Sequence, residues 1–209
     1  MTDRFHHPSD REARSAARAK ALESLLIEKG IITDRTVDTV LKVFETKMGP
    51  FNGAKIVARA WADPAFKRRL VEDTPAAIAE MAGMNDLPAG MAGAEGEHMR
   101  AVANGEGVHN LVICTLCSCY PWPVLGLPPY WYKDPTFRSR AAREPRAVLK
   151  EFGLDVPETV EVRIWDSSAQ IRWFVVPERP AGTDGMSETE LAALVTPEAM
   201  MGVAVSKAG

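Results

Sequence analysis

The first fifty residues carry apolar and polar positions at helical spacing. Residues 10–29 are mostly Ala, Arg, Glu, Leu and Lys, which favour helices, and Gly30 follows them as a natural stop. A second helix is predicted to begin near Thr33 and to end at Gly49, because its apolar residues recur on one helical face. Those residues are Val37, Val40, Leu41, Phe44 and Met48.

The next part of the chain combines helix starts with a glycine-rich loop. Asp63 and Thr74 are each followed by a proline, which is typical of a capping residue and the first turn of a helix. Residues 83–107 are rich in glycine and predict a loop, interrupted by one short strand near residues 99–103. This region therefore predicts two helices followed by a mostly irregular segment.

The second half alternates between short apolar runs and turn residues. Residues 110–113 suit a buried strand, and residues 144–152 a helix. Residues 160–164 alternate as a half-buried strand does, and a turn at residues 166–169 predicts a hairpin with residues 171–176. Four prolines should exclude regular structure for about ten residues after the strand at 110–113. They are Pro121, Pro123, Pro128 and Pro129.

A final helix is indicated by the capping box of Ser187 and Glu190, and it should run through Leu194. Helices thus dominate the N-terminal part, and strands enter later. We therefore expect the α+β class, with an N-terminal helical arm over residues 1–50 and a domain over residues 51–209.

Composition limits the classes of partner. The chain has 209 residues, 46% of them hydrophobic and 25% charged, with a net charge of −3. This balance gives no reason to expect nucleic acid or an anionic membrane surface as a partner. No apolar stretch approaches the roughly 20 residues that span a bilayer. Residues 1–20 are polar and lack a signal core, so we expect a cytoplasmic protein.

All three cysteines lie within six residues, at Cys114, Cys117 and Cys119. Buried structural thiols are one interpretation. A zinc site needs four ligands, and His109 is the obvious candidate for the fourth. An iron–sulfur cluster normally uses four cysteines. A redox pair of Cys114 and Cys117 would leave Cys119 without a role.

The spacing favours a further hypothesis, a metal claw. Two backbone amides, those of Ser118 and Cys119, join the thiolates of Cys117 and Cys119. If both amides lose their protons, one metal ion closes small, low-strain chelate rings and sits in a plane of two nitrogens and two sulfurs. That geometry is foreign to zinc. Cys114 can supply one axial sulfur, and an open opposite position would allow Lewis-acid hydration.

The motif VICTLCSCYPWP at residues 112–123 resembles the metal-binding motif of nitrile hydratase α subunits. The resemblance continues through LGLPP at 125–129, VRIWDSS at 162–168 and PERPAGT at 177–183, and upstream through GAKIVARAW at 53–61. It covers roughly residues 21–203. It implies a helical arm and a layered α/β domain that carries the cysteine loop.

The resemblance also implies the chemistry. Cys114, Cys117 and Cys119, with the amide nitrogens of Ser118 and Cys119, would bind one low-spin Co(III) ion per chain. Cys117 would be oxidised to sulfinate and Cys119 to sulfenate. Thr115 and Tyr120 are typical of cobalt-type members, whereas iron-type members tend to carry serine and threonine at these two positions. Cys119, Ser118 and Cys117 would form the catalytic group.

The family implies partners as well as a cofactor. It works as a heterodimer or heterotetramer with a β subunit, acts on small-molecule nitriles, and implies a metallation helper protein. Trp122 and Glu95 are expected near the substrate pocket, although Trp122 could equally pack in the proline-rich turn. The stretch 84–93 is longer than in typical members, which affects the expected substrate preference.

Two other functions stay open at this point. The metal-bearing subunit of thiocyanate hydrolase shares the claw, but it tends to carry arginine where Trp122 stands. A zinc-binding interaction module is the alternative from a different class. For the remaining polar residues, His109 is better interpreted as a hydrogen-bonded core histidine, and Asp166 as a turn former than as a catalytic base.

Overall fold

The computed structural model describes residues 10–47, 49–83, 98–105, 107–116 and 119–207. Two helices come first, α1 at Asp10–Glu28 and α2 at Asp34–Lys47, as the sequence predicts. The turn between them contains Gly30 in the left-handed region, with φ of 68°. Several apolar residues of α1, α2 and the turn between them are exposed to solvent in the isolated chain. They are Leu22, Leu25, Ile27, Ile31, Val40 and Leu41.

Three helices follow and begin the hydrophobic core: α3 at Pro50–Ala62, α4 at Pro64–Glu72 and α5 at Thr74–Gly83. The sequence analysis does not predict α3, although its start, Gly49-Pro50, resembles the proline starts of the other two. Helix α3 is largely buried, including Ile56, Val57 and Trp61.

The caps of α4 and α5 differ from each other. Asp63 caps α4, because its Oδ1 accepts from the backbone nitrogens of Ala65 and Phe66 at 2.8 and 3.1 Å. These bonds, chiefly the one from Phe66, lower the pKa of Asp63. Thr74 was predicted to cap α5, and this is wrong. Its hydroxyl donates to Leu70 O and accepts from Ala101 N, so it joins the helix to a strand.

Within the described residues, four strands form two parallel pairs. Strand β1 at Met99–Ala103 pairs with β4 at Arg172–Val176, and β2 at Val108–Ile113 pairs with β3 at Glu161–Asp166. The predicted hairpin between the last two strands is therefore wrong. Alternation along a strand identifies its buried face but not its partner. Ser167 begins the connection, and its Oγ accepts from Trp173 N, which turns the chain toward the other pair.

The proline-rich segment contains two four-residue helices, α6 at Trp122–Leu125 and α7 at Tyr130–Lys133, so the prediction of no regular structure there is wrong. Proline fits the first helical turn, where no backbone donor is needed. Helix α8 at Pro135–Arg143 was not predicted, whereas α9 at Pro145–Glu151 was, with its stop at Gly153.

The C-terminal part has two short helices. Helix α10 at Glu188–Ala192 has the predicted capping box of Ser187 and Glu190, and α11 at Pro197–Met201 follows a Thr196 cap. Helix α3 packs against α6 and α10, α4 and α5 pack on β1, and α11 packs on β4. The mixed helix-and-strand class is confirmed. Within the described residues, no helix is both long and apolar enough to cross a membrane.

Candidate metal centre

The cysteine loop begins where two parallel strands end together. Ile113, the last residue of β2, pairs with Asp166, the last residue of β3. Cys114 follows directly and is fully buried. Because parallel strands bring their carboxyl ends to one edge, the loop begins beside the residues that follow β3. Ser167 N donates to Ile113 O at 2.8 Å and closes this junction.

A carboxylate holds the first part of the loop. Asp166 Oδ1 accepts from Thr115 N at 2.9 Å, and Oδ2 accepts from Thr115 Oγ1 at 2.5 Å. Hydrogen bonds to a carboxylate are stronger than those to a neutral acceptor, and two of them fix both the position and the orientation of Thr115. The interpretation of Asp166 as a turn former missed this contact, because only the parallel register brings the residue to the cysteines.

A buried phenol holds the last part of the loop. Tyr132 Oη, on α7, donates to the carbonyl oxygen of Cys119 at 2.8 Å. Burial, reinforced by the charge of Cys114, raises the pKa of Tyr132 well above its ordinary value, and the neighbouring Ser167 lowers it only partly. The phenol therefore keeps its proton and remains a donor. Sequence reasoning did not identify Tyr132, since nothing in its spacing links it to Cys119.

The described residues next to these two anchors differ in their exposure. Thr115 is exposed, Leu116 is 85% exposed, and Cys119 is half-buried. Cys117 and Ser118, the centre of the predicted claw, lie outside the described residues, as does Glu95. The loop therefore combines one deeply buried sulfur with an exposed stretch. Thiolate sulfurs are common ligands of transition metals, so the donor set is compatible with a cobalt ion.

The two aromatic residues after Cys119 lie in different environments. Tyr120 is buried, and its Oη finds no hydrogen-bond partner among the described residues. Desolvation, with the charge of Glu198, raises its pKa above the ordinary range. Trp122, a predicted pocket residue, is half-buried at the start of α6 and packs against the core. It is therefore close in the chain to the loop and partly open to solvent.

His109, the suggested fourth zinc ligand, is engaged elsewhere. Its Nε2 lies 2.7 Å from Gly202 O, so it donates to that carbonyl. Its Nδ1 then accepts from Asn104 Nδ2 at 3.3 Å. His109 also lies five residues before Cys114 along a strand, which is about 16 Å. Its interpretation as a hydrogen-bonded core histidine agrees with this geometry.

The bonds around His109 form a closed set. Asn104 Oδ1 accepts from the backbone and side-chain nitrogens of Asn110, at 2.8 and 2.9 Å. Asn110 Oδ1 accepts from Trp165 Nε1 at 2.7 Å. In the part of the chain that the structure describes, no three His, Cys, Asp or Glu side chains gather as a metal site. This closed set therefore has a structural role.

A cavity of about 420 Å³ opens beside the same closed set, at the amino-terminal end of β2. Its lining includes His109, Asn104 and Ser206, several prolines and aliphatic residues, and the charged residues Asp155, Glu178 and Arg179. It contains no cysteine and lies at the opposite end of β2 from Cys114. This cavity is therefore separate from the cysteine loop.

Comparison with known proteins gives a family match along nearly the whole chain. Residues 13–204 match the family model described as nitrile hydratase, alpha chain. The cobalt-containing nitrile hydratase subunit alpha of Pseudonocardia thermophila is 52% identical over 211 residues, covering 100% of both chains. The thiocyanate hydrolase subunit gamma of Thiobacillus thioparus is 41% identical, over 90% of this chain and 79% of that protein.

The fold has a solved counterpart. A double mutant of the iron-type nitrile hydratase from Comamonas testosteroni superposes with a TM-score of 0.80 at 36% identity. The match covers 96% of this chain and 93% of that one. Sequence and fold comparisons therefore identify the same family over the same length.

Proposed function

Because the chain belongs to the nitrile hydratase α-chain family, we propose that it is the catalytic, metal-bearing subunit of an enzyme that adds one water to a nitrile and releases the amide. One observation carries this proposal. The cysteine loop is held on both sides, by Asp166 at Thr115 and by Tyr132 at Cys119, while Thr115 and Leu116 are exposed. Catalysis depends on holding the reacting groups in place, and this loop is built for that.

The cofactor is cobalt, one low-spin Co(III) ion per chain. The sulfurs of Cys114, Cys117 and Cys119 and the amide nitrogens of Ser118 and Cys119 hold it. The name of the Pseudonocardia relative supports the choice of metal, and so does Thr115 in the motif. When bound, cobalt supplies Lewis-acid polarisation of the nitrile carbon with no net redox change.

The residues of this chain supply the rest of the chemistry. Cys119, as a sulfenate, carries an oxygen that acts as nucleophile or as base toward water, and Cys117 is a sulfinate. The Ser118 hydroxyl passes a proton. Where the sulfenate oxygen adds to the nitrile carbon, a water molecule then takes its place, either on the sulfur or on the carbon, and Cys119 returns to the sulfenate. By either route the elements of one water, an oxygen and two hydrogens, reach the C≡N group and give the amide. Trp122 and Glu95 line the pocket for the small-molecule nitrile.

The subunit works with a β chain, as a heterodimer or a heterotetramer. Oxidised sulfurs carry negative charge, and burying them requires cationic or hydrogen-bonding groups. We assign these to arginines of the β chain. Leu116, 85% exposed in the loop, supports a partner that covers this face. A metallation helper protein loads the cobalt in the cytoplasm.

Residues 1–50 form the arm of this subunit, and residues 51–209 form its catalytic metal-binding domain. The exposed apolar residues of α1 and α2, such as Leu22 and Leu41, support an arm that packs on the β chain rather than on its own domain.

Thiocyanate hydrolase is the second candidate, because its gamma subunit is 41% identical to this chain. It hydrates a related C≡N group. Trp122 favours the nitrile enzyme, since the thiocyanate enzyme tends to carry arginine at that position. The zinc-module alternative loses its fourth ligand, because both ring nitrogens of His109 are hydrogen-bonded.

The test is co-expression with the β chain in cobalt medium, followed by elemental analysis and assays on nitriles and thiocyanate. We expect about one cobalt per chain that resists a mild chelator, because low-spin trivalent ions exchange ligands slowly. Nitriles should be the better substrates. Stoichiometric zinc, or metal lost readily to the chelator, would contradict the proposal. A preference for thiocyanate would favour the second candidate.

A further inference from the structure

The side chain of Tyr132 is held more firmly than a surface hydroxyl could be. Tyr132 is fully buried on α7, whose start is fixed by the bond from Tyr132 N to Pro129 O at 3.1 Å. The neighbouring Trp131 packs edge to face against Phe137 and Phe152, with centroids 4.9 and 5.0 Å apart. The phenol oxygen therefore reaches Cys119 from a rigid base.

The bond that this oxygen makes is well placed to orient Cys119. The carbonyl that accepts it belongs to the peptide between Cys119 and Tyr120. In the proposed claw, the amide nitrogen and the sulfur of Cys119 are both metal ligands. The carbonyl is the remaining heavy substituent on the same Cα, so fixing its direction fixes the rotation of the residue around its ligand atoms.

Building on the proposed function, we propose that Tyr132 is a positioning residue, which sets the orientation of the Cys119 sulfur and of its oxygen toward the substrate. Asp166 fixes the opposite side of the loop through Thr115. Each anchor controls a different half of the loop. Tyr132 acts on the half that carries the reactive sulfur, through the backbone and without contacting substrate.

The chain offers a matched control for this inference. Tyr120 is also buried, and its ring lies 5.1 Å from that of Tyr132 in an edge-to-face contact. The Tyr120 hydroxyl, however, has no hydrogen-bond partner within the described residues. Removing the hydroxyl from either ring changes packing to a similar extent. Only the change at Tyr132 removes a bond to Cys119.

The experiment compares Tyr132→Phe and Tyr120→Phe in the cobalt-loaded complex with the β chain. The readouts are cobalt content, the sulfur-to-cobalt charge-transfer absorption, kcat and KM for a nitrile, and Tm. We expect Tyr132→Phe to keep its cobalt, shift the absorption band and lower kcat about tenfold, the effect of losing one hydrogen bond. KM should change less than about twofold, since no substrate contact is lost. Tyr120→Phe should match the wild type in band and kcat.

A third protein carries 4-aminophenylalanine at position 132, which restores a donor at the same place. This protein should return the absorption band and kcat toward wild-type values. It still tests the inference if Tyr132→Phe folds poorly. A wild-type band and kcat in Tyr132→Phe would overturn the inference, as would equal shifts in both phenylalanine variants or no rescue by the amine. A wild-type complex without cobalt or nitrile hydration would overturn the proposed function, and the inference with it.

Discussion

The two ends of the β2–β3 pair use their polar residues in opposite ways. At the amino-terminal end, His109, Asn104 and Asn110 bond to one another and to Gly202, and both ring nitrogens of the histidine are used. At the carboxyl end, the anchors bond to Thr115 and to the Cys119 carbonyl. There the bonds hold the loop by its backbone and by a hydroxyl.

The difference separates a structural polar cluster from the proposed functional one. A buried cluster whose donors and acceptors match each other stabilises the fold and has little capacity left for a ligand. A loop whose main chain is fixed by outside residues can present its side chains to a metal. The identity of the residues does not decide the matter, because histidine is as good a metal ligand as cysteine. The hydrogen-bond partners decide it.

The largest effect should come from the loop itself. Cys117→Ala and Cys119→Ala each remove one sulfur of the chelate, so we expect cobalt retention and nitrile hydration to be lost together. Elemental analysis after a chelator wash and an activity assay measure both. The metal-free variants should unfold at the Tm of the metal-free wild type, which controls for folding. Tight cobalt binding by either variant would mean that the ligand set is wrong.

A substitution at the amino-terminal end of the β2–β3 pair should change stability alone. Gly202 has φ of +82°, and a Cβ added there would lie 1.9 Å from Asn110 O. We expect Gly202→Ala to lower the free energy of unfolding by about 4 kcal/mol or more, since backbone must move to relieve the clash. Denaturant unfolding of the metal-free chain measures it. Cobalt per folded chain and kcat should stay at wild-type values.

Gly185 is the matched control, because its φ is +81° and a Cβ there would meet nothing within 4 Å. Gly185→Ala should therefore cost only about 1–2 kcal/mol, the backbone strain alone. If the two variants were equally destabilised, the close approach of Gly202 to β2 would not matter. If Gly202→Ala lost cobalt while folded, the two ends would not be independent.

More could be predicted from the sequence at the cysteine loop than at the end of the strand pair around His109. The claw can be proposed from sequence because its candidate ligands lie within six residues, so local spacing contains the whole proposed chelate, and it stays a prediction. The helices of the arm and the capping box at Ser187 were equally local. The set around His109 draws on the residue after β1, on β2 and β3, and on the residue after α11, and no single window of sequence contains it. Its core role was predicted, but its partners were not.

Pairing between strands was the harder problem. The alternation at residues 160–164 correctly predicts a strand, but it favours no partner, and the short connection to β4 made a hairpin the simpler hypothesis. The contact between Asp166 and Thr115 depends on the parallel register, so it could not be predicted once the hairpin was assumed. Tyr132 was not predicted either, because its bond to Cys119 depends on how α7 packs in the folded chain.

Substituting Asp166, which holds the loop at Thr115, should have a moderate effect on both activity and stability. Asp166→Asn keeps one acceptor oxygen but places an NH₂ group toward a Thr115 donor. We expect kcat to fall about tenfold and the free energy of unfolding to fall by about 2 kcal/mol, the scale of a hydrogen bond to a charged group. Steady-state kinetics and denaturant unfolding measure the two losses.

Asp63→Asn is the control for that variant. Asp63 also accepts two hydrogen bonds from backbone nitrogens, but at the start of α4, away from the loop. It should lose some stability and keep the wild-type kcat per folded chain. Unchanged kcat in Asp166→Asn would show that the carboxylate supports only the fold, and the carboxyl end would then resemble the amino-terminal end.

The smallest effect should come from Trp165, which lies between the two ends. It pairs with Val112 in the strand register, and its Nε1 donates to Asn110 Oδ1, so it belongs to the closed set although Asp166 is its neighbour. Trp165→Phe keeps an aromatic ring and removes that donor. We expect the free energy of unfolding to fall by about 1–2 kcal/mol, with cobalt content and kcat unchanged.

Trp173→Phe is the control, since its ring lies 4.5 Å from that of Trp165 and its Nε1 makes no hydrogen bond within the described chain. The control should lose less stability than Trp165→Phe. A fall in kcat or cobalt in Trp165→Phe would mean that the closed set also positions the loop, because Trp165, which bonds to Asn110, is directly followed by Asp166, which holds Thr115.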